Sequence, residues 1–241
     1  VLLLGKDGSH LVVVAKQKFN TKNGELDISK IVGKSYGTKI RTHLGKEFYI
    51  VRPSLLDLFG KFTRTAQIIL PKDIGLILAY TGISPDSLVV DAGTGTGYLS
   101  VFLASYLTEG KVVTYEKDPH FTKIAKSNIK LSGLKNVDLK KRDISKGIVE
   151  RNVDLITLDL QHPEKVIKRA HKSLRVGGYL VVYSPTIEEV IRVAKEIRKY
   201  FSEIKTVESI VREWQTERTT RPKTMGLMHT GWIIFARKMG L

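Results

Sequence analysis

Asp91 is followed by Gly93-Thr94-Gly95-Thr96-Gly97, and three further carboxylates, Glu116, Asp143 and Asp159, each fall at or just beyond the end of an apolar run. Glycines without a Cβ turn tightly and let a ligand approach the backbone. Glu116 lies 25 positions after Asp91, near the spacing at which an acidic side chain reaches a ribose. An ionised carboxylate there accepts both hydroxyl protons of a diol, which Gln or Ser would do less well. Asp143, taken alone, reads as a helix N-cap. The six histidines form no i,i+4 pair and have no cysteine beside them, which argues against zinc. Ser100 lacks the G-x-S-x-G frame of a nucleophile elbow. His229 reads as a residue that packs or hydrogen-bonds locally rather than as a base.

These groups need strand ends to hold them. Leu88-Val89-Val90 is a short apolar run suited to a strand buried on both faces, and from Tyr98 the pattern turns helical, with Leu99, Phe102, Leu103 and Leu107 at three- and four-residue steps. A strand, a glycine loop and a helix make a crevice at the carboxyl end of a parallel strand. A dinucleotide fingerprint would need its third glycine at position 98, which is Tyr98. Upstream, Pro71 and Asp73 suit the first turn of a helix whose face is Ile74, Leu76, Ile77 and Tyr80, stopping at Gly82. A second strand, 111–116, ends in Glu116; Asp118 then caps a helix over 120–131 that stops at Gly133.

A third, shorter strand at 137–139 leads into an exposed basic run, 140–142, and Asp143-Ile144. The fourth strand, 153–160, lies beside the first across the topological switch point, so Asp159 opens on the same site. A helix over 163–174 with Lys165, Lys168, Arg169, His171 and Lys172 gives a basic surface. A strand at 179–183 and a helix over 187–201 follow. Two strands at 206–212 and 232–237 form a closing hairpin. The loop 215–229 between them holds Arg218, Arg221 and Lys223, with Trp214 just before it: positive charge beside an aromatic at the rim of the site.

Residues 1–65 differ. Short alternating pieces such as 11–14 and 48–51, punctuated by Asn23-Gly24, Gly33, Gly37 and Gly45, read as a small β domain with excess positive charge and no long helix. The chain thus divides at 1–65 and 66–241. Its 241 residues and 42% hydrophobic content support a sizeable core. No apolar run approaches a membrane span, and the absence of cysteine makes the cytoplasm the default compartment. The N-terminal VLLLGKDGSH is too short for a secretory signal core, and the missing initiator methionine suggests processing. Forty Lys+Arg against 24 Asp+Glu, a net charge of +16, is the footprint of a polyanion, nucleic acid before membrane.

The run DAGTGTGYLS resembles motif I of the class I S-adenosylmethionine-dependent methyltransferases. With RTAQIILPKD before it, TYEKDP, LDLQHPEK and the closing MGLMHTGWIIFARK, the chain is similar over nearly its whole length to the tRNA N1-methyladenosine-58 methyltransferase family. The resemblance implies an α/β fold: a Rossmann-like domain with a seven-stranded, mostly parallel sheet and a C-terminal antiparallel hairpin, preceded by the small β domain. It implies a homotetrameric, cytoplasmic enzyme that uses S-adenosylmethionine and no metal. Its substrate would be N1 of adenine 58, and adenine 57 with it, in the T-loop of tRNA. By matched position, Gln67 and Ile69 border the cofactor, and Gly93, Gly95 and Gly97 carry its methionine end. Asp91, Thr94, Thr96, Tyr98 and Lys117 belong to the same shell. Glu116 takes the ribose, and Asp143 with Ile144 the adenine. Asp159 borders the cofactor and is the catalytic carboxylate. Two positions depart from the family. Leu70 stands where a tyrosine is frequent, and Glu164 where a tryptophan is.

N1 of neutral adenine carries a lone pair, so no proton has to leave before attack, but the product is a cation. Asp159 is therefore expected to accept a hydrogen bond from the exocyclic amine of an extruded base and stabilise the developing positive charge. The competing readings are a class I methyltransferase of protein isoaspartate or of a small cofactor precursor, and a non-catalytic RNA-binding homologue.

Overall fold

Glycine-marked turns leave the N-terminal stretch only short strands. The computed structural model describes residues 1–241 apart from 66, 218, 225, 227, 228 and 241, and the chain forms two units, Val1–Phe62 and Thr63–Leu241. In the first unit, Leu2–Gly5 (β1), Gly8–Leu11 (β2), Lys39–Arg41 (β5) and Glu47–Val51 (β6) form an antiparallel sheet in the order β2-β1-β6-β5. Lys18–Thr21 (β3) and Gly24–Asp27 (β4) form a separate two-stranded ribbon. Leu3, Leu26, Ile28, Phe48 and Ile50 fill its core. Of the apolar run 11–14 only Leu11 is in a strand, and Val13 is left exposed. The helix Leu55–Phe59 (α1) starts at a capping box: Ser54 accepts from the Asp57 N–H and Asp57 accepts from the Ser54 N–H.

The second unit begins with helix Pro71–Thr81 (α2) and continues through strand Leu88–Ala92 (β7), helix Tyr98–Tyr106 (α3), strand Lys111–Glu116 (β8), helix Pro119–Ser132 (α4) and strand Val137–Lys141 (β9). It proceeds with strand Val153–Leu158 (β10), helix Ile167–Ser173 (α5), strand Leu174–Ser184 (β11), helix Ile187–Ile197 (α6) and strand Phe201–Glu208 (β12). A short ribbon of Trp214–Gln215 (β13) and Arg221–Pro222 (β14) precedes the last strand, Trp232–Lys238 (β15). Seven strands form one sheet in the order β12-β15-β11-β10-β7-β8-β9. β15 runs antiparallel to both its neighbours, and the remaining pairs are parallel.

The sheet is apolar on both faces because alternate side chains point opposite ways. Val89, Val112, Leu155, Val181 and Ile233 pack under α2 and α3, against Ile74, Ile77, Leu99 and Leu103. Val90, Val113, Ile156, Val182 and Ile234 pack under α5 and α6, against Ile167, Ala170, Val190 and Val193. Among the described residues no helix is long and apolar enough to cross a membrane.

Three expected elements shift. The helix expected over 163–174 is a 3-10 turn, Pro163–Lys165, followed by α5. The first strand of the closing hairpin starts at Phe201 and not at 206, because the helix before it ends at Ile197. β11 runs from Leu174, well before Tyr179, through the Gly177-Gly178 pair.

Candidate active site

Three strand ends and one loop converge at the switch point between β7 and β10. Gly93, Gly95 and Gly97 all take left-handed backbone conformations, at φ 87°, 53° and 84°, which residues with a side chain rarely adopt. The Gly93 and Thr94 N–H groups donate to the Tyr115 carbonyl at 3.2 and 3.4 Å, and the Asp159 N–H donates to the Ala92 carbonyl at 2.8 Å. A Cβ on Gly93 would stand 1.7 Å from the Asp159 carbonyl oxygen. The glycine loop and the acidic strand end therefore touch through backbone alone.

Glu116 is nearly buried. Its Oε2 accepts from the Gly95 N–H and its Oε1 from the Asp118 N–H, both at 2.9 Å. A carboxylate offers about four lone-pair sites, so roughly two remain for a ligand's hydroxyls. Asp143 caps the 3-10 turn Ile144–Lys146, accepting from the Ser145 N–H at 2.8 Å. Hydrogen bonding to Ser145 holds its carboxyl below the usual range. Asp143 thus caps a turn and also borders the cavity described next.

That cavity, of about 690 Å³, is lined by Gln67, Gly93, Gly95, Glu116, Lys117, Asp143, Ile144 and Asp159 among others. The remaining expected residues do not line it but brace it. Asp91 is buried, and its carboxylate accepts from Ser100 Oγ at 2.5 Å, Thr157 Oγ1 at 2.7 Å and Thr114 Oγ1 at 2.9 Å, joining β7 to α3, β10 and β8. The Thr94 and Thr114 hydroxyls meet at 2.6 Å. The Thr96 carbonyl accepts from Asn128 Nδ2 at 2.8 Å, and Gly97 is the N-cap of α3. Tyr98 is buried, with the Arg64 guanidinium 5.0 Å from its ring centre and hydrogen-bonded to its hydroxyl. Ile69 belongs to the core under α2.

Asp159 faces the cavity half-buried, and among the described residues no group donates a hydrogen bond to its carboxylate. Desolvation, then the nearby charges of Asp91 and Glu189, push its carboxyl up to about 7. No lysine plugs it. An acid without a partner beside a cavity is a group arranged to receive positive charge.

Residues missed from the sequence also line the cavity: Tyr115, Phe121, Gln161 and His162. His162 adopts a left-handed conformation, φ 59°, immediately before Pro163, where extended backbone is the norm. Such strain clusters at functional turns. Tyr115 is fully buried in the core below; its hydroxyl donates to Glu150 Oε2 at 2.5 Å, and Lys140 also pairs with Glu150. Lys140 therefore does not belong to the exposed basic run, since its ammonium is drawn in beside the Tyr115 ring. His171 likewise leaves the basic surface. It is buried 5.2 Å from the Phe201 ring centre, and burial pushes its imidazole down. His229 packs locally as expected, against Trp232 and Glu208. Of the cationic loop, Arg218 lies outside the described residues; Arg221 and Lys223 border a second cavity.

The Pro-Lys-Asp and His-Thr-Gly segments interlock. Lys72 Nζ donates to Asp73 Oδ1 at 2.8 Å, to the Ser209 carbonyl at 2.6 Å and to Thr230 Oγ1 at 2.8 Å. Thr230 Oγ1 donates to Asp73 Oδ2 at 2.9 Å, and the Tyr183 hydroxyl to the Thr230 carbonyl at 2.6 Å. Burial, first, raises the Tyr183 phenol to about 12.

The family described as the tRNA methyltransferase complex GCD14 subunit matches residues 59–228. The chain belongs to this family. A relative from Methanocaldococcus jannaschii, named tRNA (adenine(57)-N(1)/adenine(58)-N(1))-methyltransferase TrmI, is 36% identical over 92% of this chain and 88% of its own. A Thermus thermophilus protein named tRNA (adenine(58)-N(1))-methyltransferase TrmI is 28% identical over 99% and 96%. Among solved structures, one described as an S-adenosylmethionine-dependent O-methyltransferase from Thermotoga maritima superposes with a TM-score of 0.89 at 34% identity, over 100% of this chain and 92% of that one. The structure of tRNA (m1A58) methyltransferase TrmI from Aquifex aeolicus superposes with a TM-score of 0.83 at 29% identity, over 100% and 96%. The GCD14-family chain thus has the class I methyltransferase fold, and S-adenosylmethionine is its cofactor.

Proposed function

We propose that this chain transfers the methyl group of S-adenosylmethionine to N1 of adenine 58 in the T-loop of tRNA, with adenine 57 as a further acceptor. The observation that carries the reading is the unpaired Asp159 carboxylate, standing in the same cavity as Glu116 and the glycine loop. The donor set suits the cofactor. Glu116 keeps lone pairs for a diol, Asp143 can take an amine edge, Ile144 gives an apolar face, and the Gly93–Gly97 backbone leaves room for the methionine end. Gln67 and Lys117 close the rim, while Asp91, Thr94, Thr96, Tyr98 and Ile69 hold that wall in place. When bound, S-adenosylmethionine supplies a methyl group already activated on a sulfonium.

The chain's task is then alignment and charge. The target base has to leave its stack, at a cost of a few kcal/mol, and be held at near-attack distance. Asp159 accepts from the exocyclic amine and stabilises the cation that develops over N1 and that amine, an oxyanion hole with its signs reversed. A bound sulfonium favours the ionised form of Asp159 against the desolvation that raises it. With a net charge of +16, exposed Lys165, Lys168, Arg169 and Lys172 fit phosphate contacts that position without reading sequence. The small unit serves RNA binding or subunit contact in a cytoplasmic homotetramer, a role to which exposed Val13, Val32, Leu44 and Leu56 are suited.

Methyl transfer from labelled S-adenosylmethionine to transcribed tRNA, mapped by mass spectrometry of the digest, tests this. Label is expected on adenine N1 at position 58. Asp159→Ala is expected to bind the cofactor within a few-fold of wild type while turnover falls by about two to three orders of magnitude. Full turnover in that variant, or label on a hydroxyl oxygen, would overturn the assignment.

A further inference from the structure

A second cavity, of about 1020 Å³, opens where Leu70 and Pro71 meet the segment between β12 and β15. Gln67 lines the cofactor cavity and Leu70 lines this one, so the backbone reach between them is at most about 10 Å. Its lining pairs apolar surface from Leu70, Val211 and Pro222 with the cations Arg212, Arg221 and Lys223. Lys223 is engaged by Glu213 at 2.5 Å. Arg212 and Arg221 are exposed and, among the described residues, have no acidic partner. Trp214 stands opposite Pro222 in the β13–β14 ribbon and is 55% exposed. Directly opposed residues share one face of a ribbon, so the indole shares a face with Pro222, which lines the cavity, and follows directly on Glu213, which lines it too.

An exposed indole beside two arginines without counterions combines a stacking surface with phosphate clamps. Extruding one base deprives its neighbours of a stacking partner, and RNA modules meet that need with aromatic side chains. We infer that this cavity is a subsite for the unpaired nucleotides flanking the methylated adenosine. Trp214 stacks one base, and Arg212 with Arg221 holds the adjoining phosphates. The inference rests on the proposed function for the identity of the RNA, but the cleft's chemistry can be read separately.

The protein has two tryptophans, so Trp232→Phe leaves Trp214 as sole reporter. Titrating that variant with a single-stranded oligoribonucleotide is expected to quench its fluorescence, and Arg212→Ala/Arg221→Ala to weaken the binding at least tenfold. In methyl transfer to tRNA, Trp214→Ala is expected to lower kcat/KM by about ten- to a hundredfold with unchanged cofactor affinity, and Trp214→Phe to keep most of it. A tRNA made abasic at the flanking nucleotide should cost the wild type the same factor and cost Trp214→Ala nothing more. Unquenched fluorescence with saturating RNA, or independent, multiplicative losses from the two changes, would overturn the subsite. Quenching in a protein that never methylates tRNA would support the cleft and defeat the proposed function instead.

Discussion

At the scale of single residues, Asp159 carries opposing demands. Ionised, it can stabilise a cation; buried near Asp91 and Glu189, it is pushed up to about 7. Activity at low cofactor occupancy should therefore rise with pH and reach half its plateau near pH 7, a limb that Asp159→Asn abolishes along with most turnover. The stability consequence has the opposite sign from that of an ion-paired acid. Between the unfolded value, about 4, and the folded value near 7, the native state holds a proton that the unfolded state has released, so stability falls as pH rises through that window. Thermal denaturation should show Asp159→Asn melting above wild type at pH 8, with the gap closing by pH 4. A gap that is constant with pH would mean that Asp159 is not the group responsible. Asp91, equally acidic in sequence, is spent on three hydroxyls and belongs to the scaffold.

At the scale of elements, the glycine loop and the strand end after β10 form one construction. Gly93 has a left-handed φ and no room for a methyl group, because the Asp159 carbonyl occupies that place. Gly93→Ala should therefore abolish cofactor binding measured by calorimetry, whereas Gly95→Ala, with an open environment, carries only the conformational strain and should bind more weakly but measurably. The start of α2 is held by Lys72, Asp73 and Thr230 in a buried network that also ties down Ser209. Removing one member of a buried ion pair leaves the other uncompensated. Asp73→Ala should lower unfolding free energy by about 2 kcal/mol or more in urea titrations, with the paired change to Lys72→Met and Asp73→Leu costing less. Because this network joins the two segments that wall the second cavity, its loss should raise KM for tRNA more than it changes cofactor affinity.

At the scale of the whole molecule, charge decides what approaches. Sixteen net positive charges attract a polyanion at long range, and each phosphate neutralised releases counterions. Affinity for tRNA, measured by filter binding, should fall by about a hundredfold or more between 50 and 200 mM salt, while cofactor affinity stays nearly flat. Matching salt slopes for the two ligands would contradict a phosphate-dominated grip. The doubly covered sheet sets the other global property: residues at the ends of β7, β8 and β10 meet at one edge because the strand order reverses there.

Much of this was legible in the chain itself, and for a local reason. Apolar runs in β7, β8 and β10, glycine spacing, and caps at Asp118 and Gly133 are properties of neighbouring residues, so sequence determined the sheet, the loop and the acids that end its strands. The division of labour among those acids was not local. Whether Asp91 or Asp159 keeps a free carboxylate depends on hydroxyls from β8, β10 and α3, and whether Lys140 or His171 meets solvent depends on Glu150 and Phe201, distant in sequence. Only the tertiary structure could settle these, because burial and pairing are made by groups that the fold, not the chain order, brings together.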